Sequence, residues 1–171
     1  MSGTTRYPRE QLLPLANALV LDLARFARRC AITGSLRRNA PDCGDIDLIV
    51  EPRTQQVIVR NIVARWGPLH KAGERYIQVI HRETGVPIDV FVVRPPAQWT
   101  VIMVARTGPA KLWITSQVQL RQRGIQIADG HLQQHNRAIP CPDEETYFKL
   151  AGLPCLPPEQ RGEPAALVPL A

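Results

Sequence analysis

The chain has 171 residues and a formal net charge of +6, long enough to bury a substantial core as one domain or as two small ones sharing a core. No apolar run reaches the ~18 residues of a membrane span and no secretory leader is visible, so a cytoplasmic protein with no membrane partner is expected. The positive charge is mostly arginine, with Lys71, Lys111 and Lys149 the only lysines; it is spread along the chain and suits phosphate-rich partners without specifying one.

Met1 to Tyr7 reads as a loose arm. Pro8 opens a helix, where a missing N–H costs nothing. Leu12, Leu15, Leu19, Leu23 and Phe26 recur at helical spacing and predict one apolar face. Arg25, Arg28 and Arg29 are expected to close that helix, where cations suit the negative end. Cys30 to Thr33 reads as a short strand. The four cysteines (Cys30, Cys43, Cys141, Cys155) lack C-x-x-C spacing and read as reduced thiols, with Cys43 beside Gly44 a candidate reactive one.

Gly34-Ser35 follows the strand, and a turn of this kind offers backbone N–H groups and a hydroxyl to phosphate. Arg38 adds a fork that fits phosphate oxygens. Downstream, Asp45 and Asp47 alternate with Ile46 and Leu48 at the two-residue period of a strand. They therefore point the same way, roughly 7 Å apart along the backbone. At ~4 Å between carboxylates the repulsion is about 4 kcal/mol at an effective dielectric near 20. A cation would offset it. Magnesium suits, because it takes a few carboxylates together with substrate phosphates.

Thr54 is placed to cap a helix running to Trp66, with Val57, Ile58, Ile62, Val63 and Trp66 inward. Tyr76 to His81 alternates as a strand, Arg82 to Gly85 turns, and Val86 to Val93 returns as an apolar strand carrying one charge, Asp89. Burying that carboxylate without a partner would be costly, and the hairpin brings it back toward Asp45 and Asp47. Pro95-Pro96 marks a break. Ala97 to Arg106 is ambiguous by period, its β-branched content favouring strand. Thr107-Gly108-Pro109 starts a helix closed by Gly124. Asp129-Gly130 reads as a hairpin turn between Ile125–Ile127 and Leu132–Gln134. Asp143-Glu144-Glu145 opens the last helix, Gly152 closes it, and the tail from Pro157 is expected to be loosely ordered.

Gly34-Ser35-Leu36-Arg37-Arg38 through Gly44-Asp45-Ile46-Asp47, followed in order by Thr107-Gly108-Pro109 and Gly152-Leu153-Pro154…Pro157-Pro158-Glu159…Arg161, resembles the signature segments of the family X DNA polymerases, the polymerase-beta-like nucleotidyltransferases. The size and the Thr-Gly-Pro variant are most similar to the family's minimal viral form. The resemblance implies an α+β fold. Residues 1–104 would form a nucleotidyltransferase palm, a mixed sheet flanked by helices. Residues 105–171 would form a small C-terminal α/β nucleotide-closing domain with the proline-rich tail. The family's amino-terminal lyase and DNA-binding helical domains are expected to be absent. Ala97 to Arg106 becomes a helix by this resemblance, and the Gly108–Pro109 bond is expected to be cis.

The activity implied is metal-dependent gap filling: a primer 3′-hydroxyl attacks the α-phosphate of an incoming nucleotide and pyrophosphate leaves. Two Mg²⁺ (or Mn²⁺) ions roughly 3.5–4 Å apart would hold attacking and leaving oxygens in line. Asp45 and Asp47 would ligate both ions; Asp89 would ligate the one beside the 3′-hydroxyl and could help take its proton. Gly34, Ser35, Arg38 and the Gly44 amide would hold the β- and γ-phosphates, and Arg37 would face an acid of the last helix, for which Glu144 aligns best. Ala105, Arg106, Thr107, Gly108, Ala110 and Trp113 would line the nucleotide, and Gln117 would meet the template. The partners implied are primer/template or gapped DNA and deoxynucleoside triphosphates, with ribonucleotides admitted, and a monomer is expected.

The departures lie in the second half. Ala105-Arg106 stands where the pattern has an aromatic pair that screens the sugar. Ala110 and Trp113 replace an Asp and an Asn facing the nucleotide, and Gln117 replaces an arginine. Trp113 is either a core residue of its helix or a stacking surface for the base. Template coupling and fidelity are accordingly expected to be weak. Three other functions fit parts of the pattern: template-independent terminal addition, nucleotide transfer to an acceptor that is not nucleic acid, and a basic nucleic-acid-binding module with a degenerate site.

Overall fold

The computed structural model describes residues 5–53 and 56–170, with the side chains of 54–58 also outside that description. The expected Thr54 cap and the Val57 and Ile58 side chains therefore lie outside the described residues. The chain divides into two compact units, Met1–Arg94 and Pro95–Ala171.

In the first unit, β1 (Tyr7–Pro8) leads into α1 (Arg9–Ala24), and β2 (Ala27–Ile32) follows. A single turn, α2 (Gly34–Arg37), connects to β3 (Asp42–Cys43) and β4 (Ile46–Pro52). Then come α3 (Gln56–Trp66), β5 (Leu69–Ala72), β6 (Tyr76–Ile80) and β7 (Pro87–Val92). Five strands form a mixed sheet in the order β2-β4-β7-β6-β5, in which only the β4–β7 pairing is parallel. Strand alternation sends Ile46, Leu48, Val50, Ile77, Val79, Ile88, Val90 and Val92 into a core with Leu12, Ala16, Leu19 and Leu23 of α1 and Ile62, Val63 and Trp66 of α3. Asp47, Tyr76, Gln78 and Asp89 alternate with those residues and so belong to the opposite face.

Several expectations change here. Pro8 sits at the cap and not within the helix, which starts at Arg9. Arg28 and Arg29 belong to β2, because α1 stops at Ala24; Arg29 pairs with Glu51 of the neighbouring strand (2.7 Å). Phe26 is exposed rather than part of the apolar face. The arm is not loose at Tyr7–Pro8, which pairs with Asp42–Cys43. Cys43 is fully buried and so is no reactive surface thiol.

The second unit runs α4 (Trp99–Thr107), α5 (Ala110–Gln122), an antiparallel sheet of β8 (Gln126–Ala128), β9 (His131–Gln134) and β10 (Arg137–Ile139), and α6 (Glu144–Ala151). The ambiguous Ala97–Arg106 stretch is helical from Trp99 onward. Val101 and Val104 of α4 bury with Leu112, Leu120, Leu132, Tyr147 and Phe148. The division between units thus falls at Arg94/Pro95, ahead of α4, where a boundary at 104/105 would cut that helix. Gln98 ties α4 to the sheet, its amide donating to the Ile139 carbonyl (2.7 Å) and accepting from the Leu132 N–H (3.2 Å).

Asp143 caps α6 by accepting from the Thr146 N–H (2.8 Å), a bond that holds its carboxyl below the ordinary range. Gly152 ends the helix in the left-handed conformation. Gly108–Pro109 is cis, as expected, and so is Pro95–Pro96. The tail is ordered where it was expected to be loose. Short 3₁₀ turns span Pro158–Gln160 and Pro164–Leu167, with Arg161 and Ala166 buried between and within them. Among the described residues, no helix is long and apolar enough to cross a membrane.

Candidate functional site

The parallel register of β4 and β7 sets Asp47 directly opposite Asp89. Asp45, immediately before β4, points to the same side as Asp47. Each of the three carboxylates offers an oxygen lying within 4.8 Å of the others. At that separation two carboxylates repel by roughly 3–4 kcal/mol at an effective dielectric near 20, a large share of a domain's ~5–15 kcal/mol stability. Such a cluster of hard oxygen donors fits a divalent cation of the magnesium class.

The Gly34-Ser35 turn is built against this cluster. The Thr33 N–H donates to the Asp47 carbonyl (2.9 Å), which pins the end of β2 to β4. Gly34 then turns with φ +64°, and a Cβ there would stand 1.8 Å from Asp47 Oδ2. Only glycine lets the backbone approach the carboxylate so closely. Gly34→Ala is therefore expected to displace Asp47 or the turn and to weaken divalent-ion binding at the three carboxylates. Near-parental divalent-ion affinity in that variant would contradict this.

Arg38 lies half-buried beyond the turn. Burial lowers its pKa, against the opposing pull of Asp47 and Asp45. Burial first, and then the charge of Asp89, raise the Asp45 carboxyl pKa; Arg6 and Arg38 pull it back down. A folded-state pKa above the unfolded one adds stability that is complete below the ordinary carboxylate pKa and is lost as pH rises through the folded value. In metal-free buffer Asp45→Asn should thus melt higher than the parent at neutral pH, with the gain fading as pH falls through the raised carboxyl pKa and gone below about pH 4. Melting curves in chelator that show an equal gap at both pH values, or none, would rule this out.

Some contributors were not foreseen from sequence. Tyr76 Oη and Gln78 Nε2 both donate to Asp89 Oδ1, at 2.9 and 2.8 Å. Their alternation with Ile77 and Val79 put them on the polar face of β6, but only the register Gln78↔Asp89 identifies their acceptor. Arg6 donates to the Asp42 carbonyl and acts electrostatically on Asp45. Arg9 holds the connecting loop from its main-chain N–H to the Pro41 carbonyl (2.8 Å) and from its guanidinium to Asn39 Oδ1 (2.9 Å).

Of the expected residues, Gly34, Ser35, Arg37, Arg38, Gly44, Asp45, Asp47 and Asp89 all lie in the first unit. Ala105, Arg106, Thr107, Gly108, Ala110, Trp113, Gln117 and Glu144 all lie in the second. There Thr107 and Gly108 are buried at the α4–α5 junction, while Arg106 and Ala110 are exposed. Trp113 is half-buried with its ring stacked on Tyr147 (6.3 Å between centroids, 18° between planes), so it takes part in the core and keeps an exposed portion. Gln117 lines a cleft of about 260 Å³ with Arg121 and Gln126. Glu144, the acid the resemblance set against Arg37, receives both arms of the Arg161 guanidinium (3.0 and 2.8 Å). No protein-family model matches the chain, and no curated protein matches it either.

Proposed function

We propose that this protein is a metal-dependent nucleotidyltransferase acting on DNA ends, a minimal polymerase resembling family X that fills short gaps. The observation that carries the reading is the packing of Asp45, Asp47 and Asp89 within 4.8 Å of one another, with the Gly34 backbone in contact distance of Asp47. An acidic cluster alone has many uses; one built against a Gly-Ser turn and an arginine is suited to phosphate.

Asp45, Asp47 and Asp89 would hold the cations. Bound there, divalent ions would supply charge for the leaving pyrophosphate and make the 3′-hydroxyl a better nucleophile at neutral pH. Ser35 would donate its hydroxyl, and Arg38 its fork, to non-bridging phosphate oxygens. Arg6, whose charge acts on Asp45, would add positive potential toward a bound triphosphate. Asp89, on the strand next to Asp47, would help accept a proton from the attacking hydroxyl. The sugar and base contacts expected of Ala105, Arg106 and Trp113, and the template contact of Gln117, rest on the resemblance alone.

The test is single-nucleotide addition to single-stranded, recessed and one-nucleotide-gapped DNA, with deoxy- and ribonucleotides, in Mg²⁺ and in Mn²⁺. The expected result is gap-stimulated, templated addition. Ribonucleotides should be accepted with less than a thousandfold penalty, because Ala105 leaves space where a ring would screen the sugar. Equal addition without template would favour terminal transfer. DNA affinity should fall steeply with salt, by about 0.9 in log–log slope per phosphate contact on duplex DNA, and a flat salt dependence would argue against nucleic acid as the substrate.

A further inference from the structure

The Asp89 side chain is held by two donors on one oxygen. Tyr76 Oη (2.9 Å) and Gln78 Nε2 (2.8 Å) both reach Oδ1. Both donors come from β6, where Ile77 and Val79 are fully buried in the core; strand alternation therefore commits residues 76 and 78 to the carboxylate face. Gln78 sits directly across from Asp89 and Tyr76 diagonally. Tyr76 is itself braced: its ring stacks on Phe91 at 5.4 Å and 17°, and the Lys71 ammonium lies 5.4 Å from its centroid.

We propose that Tyr76 and Gln78 are positioning residues for a divalent cation. They fix the Asp89 carboxylate so that Oδ1 is taken by the protein and Oδ2 faces the cation shared with Asp45 and Asp47. This rests on the metal-dependent reading of the triad. The physical need is plain: without a cation, Asp45 and Asp47 repel Asp89, and an unrestrained carboxylate would rotate away. Two neutral donors hold it without adding charge. Gln78 suits that purpose where a glutamate would bring a fourth carboxylate.

The experiment is Mn²⁺ binding to the nucleotide-free protein, read from the loss of the free-ion electron paramagnetic resonance signal. It compares the parent, Asp89→Asn, Tyr76→Phe, Gln78→Met and the double variant Tyr76→Phe/Gln78→Met, each checked for folding by circular dichroism. Tyr76→Phe keeps the stacked ring and carries the test alone if the double variant does not fold. Loss of hydrogen bonds that orient a metal-binding carboxylate typically costs about 10–100-fold in affinity, and that is expected of the double variant. Its kcat for nucleotide addition should fall while KM for the nucleotide stays near the parental value. If Asp89→Asn loses Mn²⁺ but the double variant binds as tightly as the parent, the positioning role is overturned and the metal site stands. If the parent shows no Mn²⁺ binding that Asp89→Asn removes, both fall.

Discussion

Single replacement of Asp45, Asp47 or Asp89 by Ala is expected to abolish nucleotide transfer while leaving the fold intact. A cation in such a site contributes several kcal/mol to the barrier, which at 1.36 kcal/mol per decade is about three orders of magnitude or more in rate. Stability should move the other way. The carboxylates crowd within 4.8 Å, so removing one relieves repulsion. The Asp45 and Asp47 variants should melt slightly higher than the parent in chelator, whereas Asp89→Ala also strips Tyr76 and Gln78 of their acceptor and gains less. A structural role would give the opposite pattern: partial activity and a lower melting temperature. Rate measurements with added Mg²⁺, paired with melts in chelator, separate the two. Any of the three variants turning over near the parental rate would remove that aspartate from the metal site.

Arg161→Met should produce the largest loss of stability in the second unit. The Arg161 side chain is only 2% exposed, its two terminal nitrogens hold the Glu144 carboxylate, its Nε donates to the Leu156 carbonyl, and its guanidinium lies 5.0 Å from the Phe148 ring centroid. Removing one member of a buried pair leaves the other charge uncompensated, at a cost of about 3–5 kcal/mol. Part of that cost belongs to the orphaned Glu144, which is 20% exposed and so recovers some hydration. The double variant Arg161→Met/Glu144→Gln should therefore be less destabilised than the sum of the singles. Urea titration of all three proteins checks this. An Arg161→Met cost below about 1 kcal/mol, the range of a surface pair, would contradict it.

The same pair illustrates what the sequence could not convey. Arg161 carried part of the resemblance, yet the tail around it is rich in proline and reads as loosely ordered. What orders it is a contact between residues 17 positions apart, and no local period encodes that. Elements with strong local signals were legible: the Asp129-Gly130 hairpin, the acidic start of α6, the Gly152 stop and most of the apolar face of α1. Short pieces such as β1, β3, β5 and β10 gave no such signal, because strands of two to four residues are stabilised by partners and not by propensity. Arg28 and Arg29 were placed in the wrong element for a related reason. Both helix ends and exposed strands tolerate arginine, and the fold decides between them at Ala24.

The candidate site was legible to an unusual degree because its parts lie close in sequence: Gly34 to Asp47 covers the turn and two of the three carboxylates. Asp89 was identifiable as a lone charge among Ile88, Val90, Phe91, Val92 and Val93, which makes a solvated surface role implausible. Tyr76 and Gln78 were not, because a polar residue on an alternating strand is ordinarily facing water. Only strand order and register turn them into donors for Asp89.

The most direct measurement is addition of one nucleotide to one-nucleotide-gapped DNA by the purified protein. Primer lengthening and pyrophosphate release would be followed together, with Mg²⁺ present and then removed by chelation. The account predicts primer extended by one residue, one pyrophosphate per addition, full loss on chelation and recovery when Mg²⁺ is restored. A correctly folded protein that neither lengthens the primer nor releases pyrophosphate in Mg²⁺ or Mn²⁺, with deoxy- or ribonucleotides, would contradict it.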